Sequence, residues 1–371
     1  MNADRLGHDR RKDRIAAAMS GGVDSSVAAL LLHRQGESLV GISLQLYDAG
    51  GPHPGRFGRC CSPRDFMDAR EVAERIGFPF YVLNMEREFR ESVIDDFVDQ
   101  YRQGKTPLPC ARCNTQVKFG ELMDRAGTLG CTQVATGHYA RLHWDPVAER
   151  TRLLRSKDRE KDQSYFLFGL TSSQLDRARF PLGDLDKQSV RQLAREAGLA
   201  VAEKPESMDI CFVPEEGYRG FIEKELGEVP REDGEIVNSE GKLLGRHSGI
   251  HRFTVGQRHG LGLATGVSLY VLEIQPEFRR IVVGGREAQT RGSCHVPAPN
   301  WIGINAPPGP VDAVVQIRHR HPGEEATLWP DLRGGVTVRF RDPQRAIAPG
   351  QAAVFYRDDE VLGGGTIQSA N

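Results

Sequence analysis

The chain has 371 residues, enough for about two or three domains, and its 49 Lys and Arg residues nearly balance 50 Asp and Glu residues. The formal net charge of −1 excludes a globally basic nucleic-acid binder but leaves local basic patches open. The 39% hydrophobic and 27% charged residues are typical of a globular enzyme. No apolar run approaches the roughly 18 residues that a membrane helix needs.

The cysteine content predicts the cellular compartment. An odd number of cysteines at irregular spacing is unlike the disulfide framework of a secreted protein. We therefore expect a reducing cytoplasm, with some thiols kept for chemistry or metal binding. The polar residues 1–14 lack the apolar stretch of a secretory signal and are interpreted as a flexible leader. The seven cysteines are Cys60, Cys61, Cys110, Cys113, Cys131, Cys211 and Cys294.

Strand-like and helix-like segments alternate through the first half of the chain. Short apolar runs predict strands at residues 15–19, 38–46, 80–83 and 132–136. Apolar stripes predict helices at residues 23–31, 64–76 and 89–101, and Asn114 is predicted to cap a further helix. This alternation indicates βαβ units, and hence an α/β fold with a doubly wound, Rossmann-like parallel sheet.

The pattern changes after residue 205. Residues 206–286 are rich in Gly, with short apolar runs, and are interpreted as a small mixed central domain that carries Cys211. From residue 287 to 371, short strand-like runs are separated by Pro-rich turns, which favours an all-β, barrel-like domain. The predicted organisation is therefore a leader at 1–14, an adenylation-type domain at 15–205, the central domain at 206–286 and a β domain at 287–371.

The strongest motif is SGGVDSS at residues 20–26, between a predicted strand and a predicted helix. Its glycines let backbone N–H groups approach an anion, and the helix N-terminus adds its positive dipole end. Asp24 could help to hold Mg²⁺ beside phosphates. No Lys follows the glycines, so this is not a Walker A loop. It resembles the SGGxDS loop of the ATP pyrophosphatases, and a Gly-rich turn without a ligand is the alternative.

The other cysteine motifs are weaker when each is considered by itself. With Asn114 as the N-cap, Cys113 would lie at a helix N-terminus, where a thiol pKa falls, so Cys113 is a candidate nucleophile. The pair Cys110 and Cys113 is a weak zinc signal, and Cys60-Cys61 could supply further ligands. Cys211 lies between Ile210 and Phe212, a setting typical of a small core residue.

The motifs in combination, and in this order, resemble one family, the bacterial tRNA-specific 2-thiouridylases (MnmA) of the PP-loop ATP pyrophosphatase superfamily. The resemblance extends from residue 15 to residue 367, nearly the whole chain. Its motifs are SGGVDSS (20–26), CN before KFG (113–120), ATGHYAR (135–141), KDQSYFL (161–167), ICFV (210–213), TVGQRHGLG (254–262), PGQAAVFY (349–356) and GGGTI (363–367).

The resemblance implies an enzyme that uses ATP and Mg²⁺ to convert the wobble uridine, U34, of tRNA to 2-thiouridine. ATP would adenylate the uracil C2 oxygen, and a sulfur nucleophile would then displace AMP. The sulfur would arrive from a relay protein or a cysteine desulfurase. Cys211 matches the persulfide carrier and Cys113 its partner nucleophile, and the two would close a disulfide after delivery. The implied ATP-binding residues are Ala18, Met19, Ser20, Gly21, Gly22, Val23, Asp24, Ser25, Leu44 and Gly137.

The resemblance also implies a tRNA interface. The segment Leu108, Pro109 and Cys110 would contact the target base. Residues 150–161 contain six Lys or Arg and two acidic residues, so this basic segment could neutralise phosphates beside the site. The β domain would grip tRNA. The implied tRNA-binding residues are His138, Lys161, Asp162, Gln163, Arg318, His319 and Gln351.

Departures from the family pattern leave two mechanisms open. Many members carry Asp at the position of Cys110, so Cys110, Cys113 and Cys211 form a three-cysteine set that could hold a [4Fe–4S] cluster and deliver sulfur through its open iron. In the other mechanism, Cys211 carries the sulfur as a persulfide. The match to the family over the rest of the chain slightly favours this second mechanism. Met208-Asp209 replaces the Thr-Gly of many relatives, and His319 replaces a commoner Tyr.

Two further functions are alternatives. Another ATP pyrophosphatase, acting on a small molecule, would need neither a tRNA-binding domain nor Cys113 and Cys211. A non-catalytic RNA-binding or iron–sulfur scaffold protein would not need the intact loop at residues 20–26, which argues against it.

Overall fold

The computed structural model describes residues 14–47, 62–205, 210–214, 217–227 and 233–371. The leader up to residue 13, the pair Cys60-Cys61 and Met208-Asp209 lie outside these residues. The chain divides into two compact units. The first unit comprises the described residues up to Ser92 together with Arg112–Phe212, and the second comprises Val93–Ala111 with the described residues of Val213–Asn371. No helix in the described ranges combines the length and apolarity required to cross a membrane.

The secondary structure is numbered along the chain. The strands are β1 (Arg14–Ala18), β2 (Ser38–Gln45), β3 (Phe80–Asn84), β4 (Cys131–Ala135), β5 (Ala140–Asp145), β6 (Arg150–Arg155), β7 (Ala178–Arg179), β8 (Gly234–Asn238), β9 (Leu243–His247), β10 (Tyr270–Gln275), β11 (Arg280–Gly284), β12 (Thr290–Val296), β13 (Asn300–Trp301), β14 (Val311–Gln316), β15 (Glu324–Pro330), β16 (Val336–Arg345), β17 (Ala352–Arg357), β18 (Glu360–Thr366) and β19 (Ser369–Ala370). The α-helices are α1 (Val23–Arg34), α2 (Pro63–Ile76), α3 (Glu86–Phe89), α4 (Asp95–Arg102), α5 (Pro109–Arg112), α6 (Leu122–Thr128), α7 (Ser172–Arg177), α8 (Lys187–Glu196) and α9 (Tyr218–Leu226). Arg90–Ile94 and Cys113–Glu121 are π-helical. Short 3₁₀ turns lie at Ser164–Phe166, Ala200–Glu203, Ile250–Arg252, Pro276–Phe278 and Arg286–Gln289.

The first unit is built on a parallel sheet with strand order β3-β2-β1-β4-β7. The chain leaves β1 toward β2 and later returns to pair β4 with the other side of β1. The order therefore reverses at β1, and ligands of such sheets bind beyond the carboxyl ends of the strands at this point. The predicted α/β class and parallel sheet are confirmed.

Helix α2 shows how local chemistry shapes the first unit. Ser62 caps its N-terminus by accepting a hydrogen bond from the Asp65 amide (3.2 Å), and Asp65 accepts one from the Ser62 amide (3.1 Å). This reciprocal pair is a capping box that satisfies two helix-end donors. Ala69, Val72 and Ala73 face the core at the expected helical spacing. The helix is therefore fixed at its first turn, where it meets the loop that follows β1.

The helix predicted to begin at Asn114 begins earlier, so the N-cap prediction is wrong. Helix α5 starts at Pro109, and π-helix Cys113–Glu121 and α6 follow it directly. Pro fits the first helical position because its missing N–H has no partner there anyway. The Asn114 side chain instead donates to the Phe166 carbonyl (3.1 Å). Cys113 therefore lies beyond the first helical turn, where the helix dipole supports a thiolate less.

The second unit contains two β arrangements. A four-stranded mixed sheet has the order β10-β11-β8-β9, with β8 and β11 parallel and the other pairs antiparallel. The C-terminal strands pair antiparallel in the order β19-β12-β16-β15-β14-β17-β18, and β13 pairs with β18. Their inward side chains form one apolar cluster that includes Val315, Val338 and Phe355. The mixed and all-β fold classes predicted for these two regions are confirmed. The domain boundaries stay predictions, and Cys211, which was expected in the central domain, lies in the first unit.

Candidate functional site

The loop between β1 and α1 is shaped to receive an anion. Gly22 precedes the helix in an extended conformation, and no side chain caps the helix N-terminus. The Ser20 amide donates to Ser25 Oγ (3.1 Å), and the hydroxyls of Ser25 and Ser26 donate to the Gly22 carbonyl (3.1 and 2.9 Å). The internal bonds fix the loop, while the uncapped helix end keeps its positive dipole for a ligand.

Two glycines are required by close packing around this loop. Gly21 has φ +69°, and a Cβ there would lie 2.4 Å from the Asp65 carbonyl oxygen of α2. A Cβ on Gly137, which follows β4, would lie 2.7 Å from the Asp24 carbonyl carbon and from the Ser25 amide nitrogen. Only glycine fits such contacts. The loop is therefore held between α2 on one side and the turn after β4 on the other.

A pocket of about 340 Å³ opens beside the loop, within the first unit. Its lining contains all the residues expected to bind ATP except Gly21. The lining includes four lysines and two aspartates, so it carries an excess of positive charge, which suits a polyphosphate. Apolar side chains, among them Leu44 and Phe66, supply the rest of the wall. The polar and charged lining residues are Ser20, Asp24, Ser25, Asp65, Lys118, Thr136, His138, Tyr139, Lys161, Gln163, Lys187 and Lys204.

Asp24 is held by two partners from distant parts of the chain. Lys187 Nζ donates to both carboxylate oxygens of Asp24 (2.7 and 2.8 Å), and the Tyr139 hydroxyl donates to Oδ1 (2.8 Å). Lys187 is the first residue of α8, and its amide donates to Asp158 (3.1 Å). A cation is thus already present where Asp24 was expected to hold Mg²⁺.

Lys204 ties the loop to helix α2. Its ammonium donates to the Gly21 carbonyl (2.9 Å), to Asp65 Oδ1 (2.6 Å) and to Asp68 Oδ2 (2.5 Å). Burial disfavours the charged form, but the hydrogen bonds and charges of Asp65 and Asp68 outweigh it and raise the pKa of Lys204. The ammonium therefore stays charged and binds the Gly21 carbonyl and the carboxylates of Asp65 and Asp68 at the same time.

His138 lines the pocket as a neutral ring. Its Nδ1 shares a hydrogen bond with Thr136 Oγ1 (2.7 Å), and its ring packs near Phe119 and Phe180. Desolvation, with a smaller contribution from Lys118, holds the pKa of His138 well below its usual value. An uncharged imidazole can exchange hydrogen bonds with a ligand but cannot neutralise a phosphate.

The expected tRNA residues 161–163 differ in their surroundings. Lys161 and Gln163 line the pocket, and Gln163 Oε1 accepts from the Tyr139 amide (3.0 Å). Asp162 is buried; it accepts from the amides of Ser156 and Ser164 and pairs with Arg155 (3.1 Å). Its contacts order the turn that presents Lys161 and Gln163 to the pocket.

The expected sulfur-handling cysteines differ in exposure. Cys113 is buried, Cys211 is partly exposed and Cys110 is exposed. Within the described ranges, no three His, Cys, Asp or Glu side chains form a group that could hold a metal ion.

The remaining expected tRNA residues lie in the second unit. Arg318 and His319 are exposed in the turn after β14, where their carbonyls accept from the Gln316 amide group (3.2 and 2.6 Å). Gln351 precedes β17, and its Nε2 donates to the Thr106 carbonyl (3.1 Å) and the Pro107 carbonyl (3.3 Å), just before Leu108.

Sequence reasoning did not find Lys187 and Lys204, nor Lys118 and Tyr139, in this pocket. Asp24 and Lys187 are 163 residues apart, and Gly21 and Lys204 are 183 apart. No spacing rule links residues at such distances. Two of the four do stand in motifs of the resemblance, since Lys118 opens KFG and Tyr139 lies inside ATGHYAR.

Three family models match the chain. Residues 13–215 match the tRNA methyl transferase HUP domain, residues 219–285 the tRNA methyl transferase PRC-barrel domain and residues 291–367 the aminomethyltransferase β-barrel domain. Among solved structures, a 4-thiouridine synthetase–RNA complex with bound ATP is 17% identical and covers 54% of this chain and 45% of that chain. The TM-score between the two structures is 0.34.

Curated relatives match over nearly the full length. The tRNA-specific 2-thiouridylase MnmA of Solibacter usitatus is 49% identical over 366 residues, which cover 95% of this chain and 99% of the relative. The MnmA protein of Rhodospirillum centenum is 49% identical over 375 residues, which cover 98% and 94%. With this identity and coverage, the chain belongs to the MnmA family of tRNA-specific 2-thiouridylases.

Proposed function

We propose that this protein uses ATP to convert U34 of tRNA to 2-thiouridine, with sulfur carried as a persulfide on Cys211. The observation that carries the proposal is the lysine-rich pocket around the loop at residues 20–26, in a chain that matches MnmA proteins over nearly its full length. The pocket suits a nucleoside triphosphate, and the family match supports tRNA as the substrate.

The loop supplies the phosphate contacts. The uncapped N-terminus of α1 and the hydroxyls of Ser20 and Ser25 face the space where phosphates would lie. Asp24 would hold Mg²⁺, which would neutralise phosphate charge when bound. Because Lys187 now occupies both oxygens of Asp24, we expect Lys187 to turn toward the phosphates when the nucleotide binds.

Adenylation converts a poor leaving group into a good one. The C2 oxygen of the uracil would attack the α-phosphorus of ATP, and pyrophosphate would leave with its charge balanced by the pocket lysines. The wobble base lies in a single-stranded loop, so it can leave its stack at low cost to reach the site. Neutral His138 and the amide of Gln163 would exchange hydrogen bonds with a base rather than neutralise a phosphate, since both side chains line the pocket without a charge.

Sulfur transfer then completes the reaction. The terminal sulfur of the Cys211 persulfide would attack C2, and AMP would leave with the former C2 oxygen. Cys113 would attack the Cys211 sulfur, so that the sulfur–sulfur bond breaks, the terminal sulfur stays on the base and a Cys113–Cys211 disulfide forms. Two equivalents of an external thiol would reduce the Cys113–Cys211 disulfide to two thiols and would themselves be oxidised to a disulfide. The donor, a relay protein or a cysteine desulfurase, recharges Cys211.

Nucleoside mass spectrometry of tRNA tests this function. Wild-type protein with ATP, Mg²⁺ and a cysteine desulfurase with its cysteine should form 2-thiouridine, and Asp24→Asn should form none. Asp184→Asn, which removes an exposed carboxylate paired with Lys157, is the matched control and should keep wild-type activity. Pyrophosphate release that ignores added tRNA would instead support a small-molecule pyrophosphatase.

Cysteine variants separate the sulfur routes. Cys211→Ser should abolish 2-thiouridine while tRNA-dependent pyrophosphate release continues, because adenylation precedes sulfur transfer. Cys110→Ser should retain most thiolation by the persulfide route and lose it by a cluster route. Cys294→Ala, which replaces a buried cysteine of strand β12, controls for the loss of a thiol elsewhere. Equal product from iron-free and anaerobically reconstituted protein would agree with the persulfide.

A further inference from the structure

The segment before the expected base-contacting residues is anchored at its first end by a glycine. After α4, the amides of Gly104 and Lys105 donate to the carbonyls of Tyr101 (3.0 Å) and Gln100 (2.9 Å). Gly104 has φ +68°, and a Cβ there would lie 2.6 Å from the Ile274 side chain of β10. The chain therefore enters residues 105–110 from a fixed position.

The second anchor is the turn at residues 349–351 of the C-terminal β domain. The Thr106 amide donates to the Pro349 carbonyl (2.7 Å), and Gln351 Nε2 bridges the carbonyls of Thr106 and Pro107. Gly350 has φ +92°, and a Cβ there would lie 2.8 Å from both the nitrogen and the oxygen of Thr106. We name these contacts the 349–351 clamp.

The clamp is built on a rigid base. The Gly350 amide donates to the Ile367 carbonyl (2.9 Å), and the Ile367 amide donates to the Gln351 carbonyl (2.8 Å). Strand β17, which follows at once, is buried from Ala352 to Tyr356. Gln351 therefore lies at the N-terminal end of an interior strand, since β17 pairs with both β14 and β18, and its backbone is held in place.

The segment at residues 106–109 has few backbone groups that can donate hydrogen bonds to a neighbour. Pro107 and Pro109 have no N–H, so residues 106–109 offer only two backbone donors. A neighbour must therefore hold this segment largely through its carbonyls, and Gln351 donates to two of them, those of Thr106 and Pro107. Leu108, the first residue expected to touch the base, follows directly.

From this geometry we infer that Gln351 is a positioning residue for the target base, acting through Thr106 and Pro107 on the segment Leu108–Cys110. The inference rests on the proposed thiolation. Adenylation needs the C2 oxygen close to the α-phosphorus, and an error of about 1 Å in such placement can cost on the order of 100-fold in rate. Loss of the clamp should therefore lower kcat more than tRNA affinity.

This role makes a different prediction from direct contact between Gln351 and tRNA. A side chain that only grips RNA affects Kd and KM, and a positive charge in its place strengthens binding to phosphate. A side chain that positions the segment by donating to the Thr106 and Pro107 carbonyls affects kcat. Its effect depends on the N–H donor and not on a charge. Gln351→Met removes the donor at similar length, whereas Gln351→Lys keeps a donor and adds a charge.

The experiment measures tRNA Kd, single-turnover thiolation and hydrogen exchange of peptides spanning residues 103–109. Gln351→Met should slow single-turnover thiolation at saturating tRNA about tenfold or more, leave tRNA Kd within about twofold of wild type and speed exchange at the Thr106 amide. Gln351→Lys should recover part of the rate. Gln368→Met, an exposed glutamine that contacts His295, should change none of these.

Gly350→Ala should reproduce the Gln351→Met result, because its methyl group would displace Thr106. Gly334→Ala is its matched control, since Gly334 has φ +84° and an added Cβ would meet nothing within 4 Å. A Gln351→Met variant with weaker tRNA binding, unchanged kcat and unchanged exchange would overturn the inference and favour direct contact. If wild-type protein forms no 2-thiouridine, the proposed function fails, while exchange at residues 103–109 still tests the clamp.

Discussion

Two glycines with left-handed backbones, one in each compact unit, lie against a neighbouring backbone and hold a functional segment. Gly21 meets Asp65 in the first unit, and Gly350 meets Thr106 in the second. The ties around them differ. Charged groups, with Lys204 between two carboxylates, support the first, whereas the neutral amide of Gln351 supports the second. The charged tie holds a loop that must receive a charged nucleotide, and the neutral tie holds a segment expected to meet an uncharged base.

The largest effect is expected for Gly21→Ala. The new methyl group would lie 2.4 Å from the Asp65 carbonyl oxygen, so either α2 or the loop must move. Left-handed alanine itself costs only about 1–2 kcal/mol. We expect ATP affinity to fall roughly 100-fold, equivalent to about 2.7 kcal/mol, as measured by calorimetry.

The matched control is Gly36→Ala, because Gly36 has φ +83° with open space where a Cβ would be added. It carries the same backbone cost without the contact, and ATP affinity should stay near wild type. Equal losses in both variants would show that strain, and not the contact with Asp65, limits the site.

The next largest effect is expected for Lys204→Met. Removing the ammonium frees the Gly21 carbonyl and leaves Asp65 and Asp68 without their shared cation. These side chains are partly buried, so the loss is less than the 3–5 kcal/mol of a fully buried pair, about 1–2 kcal/mol. ATP affinity should fall about tenfold, and Lys157→Met, in an exposed pair, should have no effect.

Asp68→Asn distinguishes two possible roles of Lys204, which are to hold the loop through its contacts with Gly21, Asp65 and Asp68, or to add positive charge to the pocket. If Lys204 acts by holding the loop, this variant should also weaken ATP binding, by a smaller factor. Stronger ATP binding by Asp68→Asn would contradict the tie and show that only net positive charge matters.

The sequence was informative where a motif is contiguous. SGGVDSS lies between a strand and a helix, and its position predicted the loop, the parallel sheet and most of the pocket lining near β1. Gly137 was expected from the resemblance, and the structure places it against Asp24 and Ser25. The loop residues are recognisable because a contiguous segment of seven residues contains all the glycines, the hydroxyls and the aspartate of the motif.

What the sequence did not reveal depends on tertiary contacts or on competing local signals. Lys187 and Lys204 reach the loop from about half the chain length away, and nothing beside them marks their role. Asn114 has the residue type of a cap, yet Pro109 starts the helix earlier and the Asn114 amide finds Phe166 instead. Gln351 was expected from the resemblance, but its contact with Thr106 spans 245 residues.

The smallest expected effect is a pH dependence of stability, which should be present around His138 in the first unit and absent from the clamp in the second. The folded protein holds the pKa of His138 well below its usual 6.5, so the unfolded chain takes up a proton first as the pH falls. The stabilisation by the neutral ring is therefore complete above pH 6.5 and declines as the pH falls through 6.5 toward the lowered pKa, by at most about 1.4 kcal/mol per pH unit. Neither Gln351 nor Thr106 in the clamp titrates in this range.

Hydrogen exchange, expressed as protection factors at pH 7.5, 6.5 and 5.5, tests this difference. Protection of peptides covering residues 131–140 should fall with pH in wild type and fall less in His138→Gln, which cannot take up the proton. Protection at residues 103–109 should not depend on pH in either protein. A parallel decline at both sites in both proteins would mean that acid loosens the units through other groups. A decline confined to residues 131–140, and removed by His138→Gln, would show that the ligand pocket depends on an uncharged His138 while the clamp is held independently of charge.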